Sequence, residues 1–348
     1  MCDRKIKDPK NRKYFSVSHV PILILAIACP LTATAEPVDQ TMGNWEGRWT
    51  DEDRSSAQLS AAIIAMGNDQ YDCVLSVPAE CDHDAFQVLL QGQREGEVTT
   101  LGGRLQSGAD APTQCHGKVA EGTFRGSIVV DGPTSSFVMI RVGRQPPTLG
   151  VPPPAGAVVL LKGNNLDQWT QRDGSPALWK IKGGVMEVHS PTDFIITKQK
   201  FRDMKIHCEF WLPLMPDRRG QQRANSGVYV QGRYEVQILD SFGRPPQFRE
   251  AGGIYKMAVP LANPCLPPGE WQALDITHYA PRLDAGGKMI KPAEMTVVYN
   301  GVRIHDKVLL PEPTSSAIDH ELDQPGGIML EDHGDPVRFR NFWVLPLD

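Results

Sequence analysis

The chain has 348 residues, 41% of them hydrophobic, with 32 glycines, 29 prolines and a formal net charge of -5. That length exceeds one ordinary core and suits two domains, and the hydrophobic share is that of a folded protein, which excludes wholesale disorder. A small negative charge with no basic stripe excludes nucleic acid as the expected partner.

Residues 1–35 read as a targeting segment. Arg4, Lys5, Lys7, Lys10, Arg12 and Lys13 form a basic start, Ile22 to Ala28 an apolar run, and Ala33-Thr34-Ala35 a small-residue cleavage site before Glu36. The apolar run is shorter than the roughly 20 residues a spanning helix needs and is flanked by Pro21 and Pro30, so no stable transmembrane span is expected. The expected localisation is periplasmic or extracellular, with lipid anchoring through Cys29 as a minor alternative. Cleavage would remove Cys2 and Cys29 and leave Cys73, Cys81, Cys115, Cys208 and Cys265. Cys73 and Cys81 flank a short Pro-containing turn and are the expected bridge, with Cys115 competing for either. No paired C-x-x-C arrangement points to structural zinc.

Residues 38–144 open with Gly43-Asn-Trp-Glu-Gly47 and continue as short strand-like runs: 57–65, 70–77, 85–91, 126–130 and 136–142. Clusters such as Gly67-Asn68-Asp69 separate them, which predicts a small antiparallel β domain, a meander or a barrel. Residues 57–66 fit a helical period as well as a strand period. No catalytic constellation is visible in this part. The Pro-rich segment 145–156 then reads as an extended, semi-rigid linker.

From Ala157 onward one short strand follows another without a long amphipathic helix, and Asn300-Gly301 between two such runs is a strong hairpin signal. The expected fold class is all-β, with a two-sheet sandwich in the second domain, residues 157–348. In 234–240 the strand period puts Val236 and Ile238 on one face and Glu235 and Gln237 on the other. In 225–231, Val228 and Val230 face inward, leaving Asn225, Tyr229 and Gln231 together. If the two strands are neighbours, amides, a carboxylate and an aromatic ring share one face, which is what a sugar needs: bidentate partners for hydroxyls and a platform for C–H faces. An ordinary solvated sheet face carries a similar pattern. Further along, Met329, Glu331 and His333 share a face, as do Arg338 and Arg340, while Tyr255 and Lys256 follow a Gly-rich turn. No nucleotide-binding glycine pattern, no G-x-S-x-G and no H-E-x-x-H occurs. Asp332, His333 and Asp335 lack dense oxygen-ligand spacing, so no metal or other cofactor is expected, although a divalent cation stays an open alternative.

Residues 161–169, Asn225-Ser-Gly-Val228, Tyr234-Glu-Val-Gln-Ile-Leu-Asp240, Gly253-Ile-Tyr255, Pro268-Gly-Glu-Trp271, Asn300-Gly301, His333-Gly334 and Phe339-Arg-Asn341 occur in that order. Together they closely resemble the 3-keto-disaccharide hydrolase domain family, over residues 157–347. The resemblance implies a concanavalin-like jelly-roll sandwich and cleavage of 3-keto-glycosides: proton abstraction at sugar carbon 2, then elimination of the aglycone. Such a route needs a base, support for the enolate oxygen and an acid for the leaving group. Carried onto this chain, the resemblance implies His333 or Glu235 as base and Lys256 or Arg340 as oxyanion support. Asn225, Tyr229, Gln237, Asp240, Tyr255 and Glu331 are then expected to contact substrate. Where the family pattern has glutamine this chain has Glu331, an extra carboxylate able to raise the pKa of a neighbouring acid or recruit a cation. The expected function is an exported hydrolase or lyase with a carbohydrate substrate; the alternative is a non-catalytic carbohydrate-binding sandwich.

Overall fold

In the computed structural model the described residues are 39–51, 58–78, 85–104, 114–129 and 134–347. The expected targeting segment and Cys81, with its expected bridge, lie outside them. Among the described cysteines, Cys73, Cys115, Cys208 and Cys265 are free and buried.

The first domain is a closed eight-stranded barrel. Its strands are β1 (Gly43–Trp49), β2 (Gln58–Ala65), β3 (Gln70–Val77), β4 (Phe86–Glu95), β5 (Val98–Arg104), β6 (Gln114–Ala120), β7 (Thr123–Val129) and β8 (Thr134–Val142). Each pairs antiparallel with the next, and β8 closes on β1, with Trp49 opposite Phe137. Alternate side chains point inward, so the interior is packed rather than open. Trp45, Phe124 and Phe137 meet edge to face, with centroids 6.2 and 5.2 Å apart. Strand β2 settles the ambiguity at residues 57–66. Leu59, Ala61 and Ile63 face the barrel interior, while Ile64 on the opposite face is 3% exposed and belongs to the core of the second domain. A strand buried on both faces loses its polar alternation, which is why its period is mixed.

The second domain is the expected sandwich. Its strands are β9 (Val158–Val159), β10 (Trp169–Gln171), β11 (Lys180–Lys182), β12 (Val185–Glu187), β13 (Ile195–Thr197), β14 (Met204–Trp211), β15 (Ser226–Val230) and β16 (Tyr234–Ile238). They continue with β17 (Trp271–Tyr279), β18 (Arg282–Leu283), β19 (Met289–Lys291), β20 (Ala293–Tyr299), β21 (Val302–Leu310), β22 (Met329–Leu330) and β23 (Arg338–Pro346). The smaller sheet runs β10-β13-β22-β15-β16, and the larger runs β11-β12-β23-β14-β17-β20-β21 with β9 beside β23. Strands β18 and β19 form a separate hairpin. Asn300 and Gly301 link β20 to β21, both with positive φ (49° and 82°), the backbone that the Asn-Gly pair adopts at low cost in a two-residue hairpin turn. The core lies between the sheets. Val228, Val236, Ile238 and Leu330 come from the smaller sheet, and Ile206, Phe210, Ile276 and Phe339 from the larger. Each such side chain stabilises the fold by about 1.5–3 kcal/mol.

Segment 145–156 is not a free spacer but is pinned to the outer face of the larger sheet. The Thr148 hydroxyl donates to Asp275 (2.7 Å), the Gly150 N–H to Glu209 (2.6 Å), and the Asn341 amide to the Val151 carbonyl (2.9 Å). Beneath it, His207 is fully buried, with Nδ1 2.7 Å from Asp275 and Nε2 3.6 Å from Glu209. Burial pulls the His207 pKa down, but hydrogen bonds to Asp275 and Glu209 outweigh it and hold the ring at about 9. Burial likewise opposes ionisation of Glu209, yet bonds from His207, Asn341, Gly150 and Arg340 bring it to about 2.

Candidate active site

The smaller sheet turns one face to the core and the other outward. Because Val228, Val236 and Ile238 point inward, Gly227, Tyr229, Glu235 and Gln237 point outward by the period of two. The antiparallel register puts Tyr229 opposite Glu235 and Gly227 opposite Gln237. Tyr229 also lies opposite Met329 on β22, and the Glu331 N–H bonds the Gly227 carbonyl (3.1 Å), which brings Glu331 into the same patch. Gly227 is where the floor has no side chain. A Cβ there would meet Glu235 Oε1 at 3.0 Å and Tyr229 Cε2 at 3.1 Å, so the carboxyl leans over the glycine.

Glu235 is 3% exposed and lies beside Tyr229 across the β15–β16 register. Burial and then the neighbouring Glu331 carboxylate push its pKa up to about 8, against the opposing pull of Tyr229 and Lys256. Glu331 is itself raised, by burial and by Asp332, with His333 opposing. The extra carboxylate noted in the sequence therefore acts on Glu235 as a like charge should. Burial also raises Tyr229 and Asp335. The result is a buried carboxyl whose protonation changes near pH 8, with exposed Lys256 and His333 nearby.

Beside the carboxyl lies an amide cluster. Asn225 donates to the Gln221 carbonyl (2.8 Å) and Gln237 to the Gln221 side chain (3.2 Å), while Asp335 accepts the Asn225 N–H (2.8 Å). Asn225 Oδ1 and Gln237 Oε1 are buried and accept no hydrogen bond from the protein. A buried acceptor left unpaired costs about 1–3 kcal/mol. Both belong to residues within or directly before the β15–β16 hairpin that carries Glu235.

Of the residues singled out in the sequence, Asn225, Tyr229, Glu235, Gln237 and Glu331 share this face, with Lys256 and His333 beside it. Tyr255 reaches it through its backbone, whose N–H bonds the Glu235 carbonyl (3.1 Å), and its ring lies 5.1 Å from Lys256 Nζ. Three residues do not join them. Arg340 lies on β23 of the larger sheet, on the outer face of the sandwich. There it bonds Glu209 (2.7 Å) and sits 3.9 Å over the Trp271 ring. Its place among the oxyanion donors is thereby corrected, because the core separates the two outer faces. Asp240 is 6% exposed and paired with buried Arg223 (2.6 Å), which also donates to the Ala65 carbonyl of the barrel (3.1 Å), so it secures the junction instead of lining the patch. Gln231, expected on the same face, sits in the β15–β16 turn with φ 56° and bonds the Phe201 carbonyl (3.0 Å) and His278 (3.3 Å).

Sequence reasoning missed Gln221 and Thr314, whose hydroxyl accepts the Glu235 N–H (3.0 Å). Gln221 lies in a three-residue 3-10 turn, Gly220–Gln222, and Thr314 in irregular backbone, both too short or too irregular for a period to mark a face. Among the described residues, no group of three or more His, Cys, Asp or Glu side chains is arranged to hold a metal ion.

Residues 156–345 match the family model of the 3-keto-alpha-glucoside-1,2-lyase-like domain. No curated protein matches the chain. Among solved structures, a candidate glycosyl hydrolase of Parabacteroides distasonis is 36% identical with a TM-score of 0.52, over 56% of this chain and 85% of that one. A second candidate glycosyl hydrolase of the same organism is 18% identical with a TM-score of 0.42, over 56% of this chain and 95% of that one. The matched span is the sandwich that carries the Glu235 patch, a β-sandwich of carbohydrate-active type.

Proposed function

Because the chain belongs to the 3-keto-alpha-glucoside-1,2-lyase-like family, we propose that its sandwich cleaves 3-keto-glycosides by elimination at the Glu235 patch. The observation that carries this reading is the pairing of one buried carboxyl, with a pKa near 8, and two unpartnered amide oxygens on the same face. A ketone at carbon 3 acidifies the hydrogen on carbon 2, and a carboxylate with a pKa near the working pH is matched to removing it. Glu235 takes that proton, and the C–H electron pair becomes the enolate, whose oxygen faces the Lys256 ammonium. Collapse of the enolate forms the C1–C2 double bond and expels the aglycone oxygen, which takes a proton from His333 at the rim. Water then adds at carbon 1 with return of the proton to carbon 2, so that the net change is hydrolysis. Asn225 and Gln237 accept hydrogen bonds from sugar hydroxyls through their free oxygens.

The test is incubation of the protein with 3-keto-glucosides and with their unoxidised parents. Aglycone is expected from the keto forms alone, with exchange of the carbon-2 hydrogen into deuterated water. Glu235→Gln should lower kcat/KM by about 10²–10⁴-fold. As Glu235 must be ionised, kcat/KM should rise with pH and level off near pH 8. Binding of keto sugar without turnover or exchange would instead establish a carbohydrate-binding module. Export is part of the proposal, and sequencing the mature N-terminus, expected at Glu36, tests it.

A further inference from the structure

The patch continues past Glu331. Phe194 directly precedes β13 and Glu331 directly follows β22, and the Ile195–Leu330 register sets the two abreast. Beyond them is an open depression of about 660 Å³, lined by Arg172, Thr192, Phe194, Asp332 and His333 among others. Its walls are braced. Asp193 accepts from Arg172 through Nε (2.8 Å) and Nη2 (2.6 Å), which holds the guanidinium 4.5 Å from the centre of the Phe194 ring. Asp332 accepts the Thr192 N–H (3.2 Å) and the Gly334 N–H (3.0 Å), tying this loop to the His333 turn. The Phe194 ring lies 6.1 Å from that of Tyr229, the residue opposite Glu235. Guanidinium, phenyl and phenol thus form a run of flat surfaces leading from solvent to the carboxyl.

We propose that this depression is the aglycone subsite and that it takes a flat aromatic leaving group, stacked on the Arg172–Phe194 platform with its oxygen toward His333. The inference rests on the lyase reading above. Two observations favour an arene over a second sugar. Part of the polar lining is already committed: Asp193 Oδ1 accepts from Arg172 and from the Phe194 N–H, and both Asp332 oxygens accept backbone N–H groups. Beside them stands an exposed guanidinium fixed by its carboxylate, a group that attracts π-systems. A phenol is also a better leaving group than a sugar hydroxyl, and a cation beside the depression favours its developing negative charge.

The experiment compares kcat/KM for a 3-keto 4-nitrophenyl glucoside with that for a 3-keto glucose disaccharide. The wild type should prefer the aryl substrate, and Phe194→Ala or Arg172→Ala should each lower the aryl-to-disaccharide ratio about tenfold, chiefly through KM. Arg172 is exposed, so its variant separates the platform from any folding defect at Phe194. A ratio unchanged in both variants overturns the proposal. If the wild type cleaves neither substrate, the lyase reading fails on its own, and calorimetric titration with the same aryl glucoside still reads the platform. Binding weakened about tenfold by both substitutions supports it, and unchanged binding overturns it.

Discussion

Glu235 costs the folded chain most when it is ionised. Its folded pKa of about 8 lies above the roughly 4.3 of an unfolded glutamate, so the folded state binds the proton more tightly. The resulting stability is fully present below the unfolded value, falls as pH climbs through the window, and is gone above about 8. Glu235→Gln keeps the shape and removes the charge. It should raise the thermal midpoint by about 2–4 °C at pH 8, with no gain at pH 4, while turnover is lost. Equal midpoints at both pH values would mean that the carboxyl is not held as described. The outward set of Asn225, Tyr229, Glu235 and Gln237 was legible because four aliphatic residues, Val228, Val230, Val236 and Ile238, fix the pleat. Arg340 obeys the same alternation and still lies elsewhere. Period two tells which face of a strand a residue takes, but not which of two sheets holds the strand.

At the scale of elements, the hairpin β15–β16 presents the carboxyl and the amides, while Asp240 just beyond it does different work. Its partner Arg223 is 4% exposed and bonded to the barrel at Ala65, so the pair is buried at a junction. Asp240→Ala should destabilise the protein by about 3–5 kcal/mol, because a buried guanidinium loses its counter-charge. Denaturant melts would show it. A rise in KM with unchanged stability would restore Asp240 to the substrate patch. Strand β2 was hard to assign for the reason that makes it informative: it is covered on both sides, inside by the barrel and outside by the sandwich. The short β22 contributes only Met329 and Leu330 to the ladder, yet it delivers Glu331 to the patch. Gln221 and Thr314 support the site from a single 3-10 turn and a loop, where position is set by tertiary packing and leaves no local pattern.

For the whole molecule, the pinned segment 145–156 makes the attachment of barrel to sandwich sensitive to pH. His207 is raised above its unfolded value to about 9, so its contribution is complete below roughly pH 6.5 and disappears as pH rises through about 9. Glu209 is depressed to about 2, so its share is present above the unfolded value near 4.3 and is lost only as pH falls through about 2. Proteolytic cutting within 145–156 should therefore accelerate above about pH 9. In His207→Gln it should be fast already at pH 7 and independent of pH across that window; cutting that stays slow to pH 10 in the wild type would show that the histidine does not hold the segment.

Ile64 belongs to the barrel by chain and to the sandwich by packing, with Ala62 and Met66 packed against the same core. A chain beginning at Ala157 would leave that part of the sandwich core wet, and a barrel ending at Gly143 would carry an apolar side chain into water. The border that divides the chain into a matched and an unmatched half is thus not a border for folding. The sandwich interior is completed by Ile64 of the barrel, and heat or denaturant is expected to meet the two as one cooperative body.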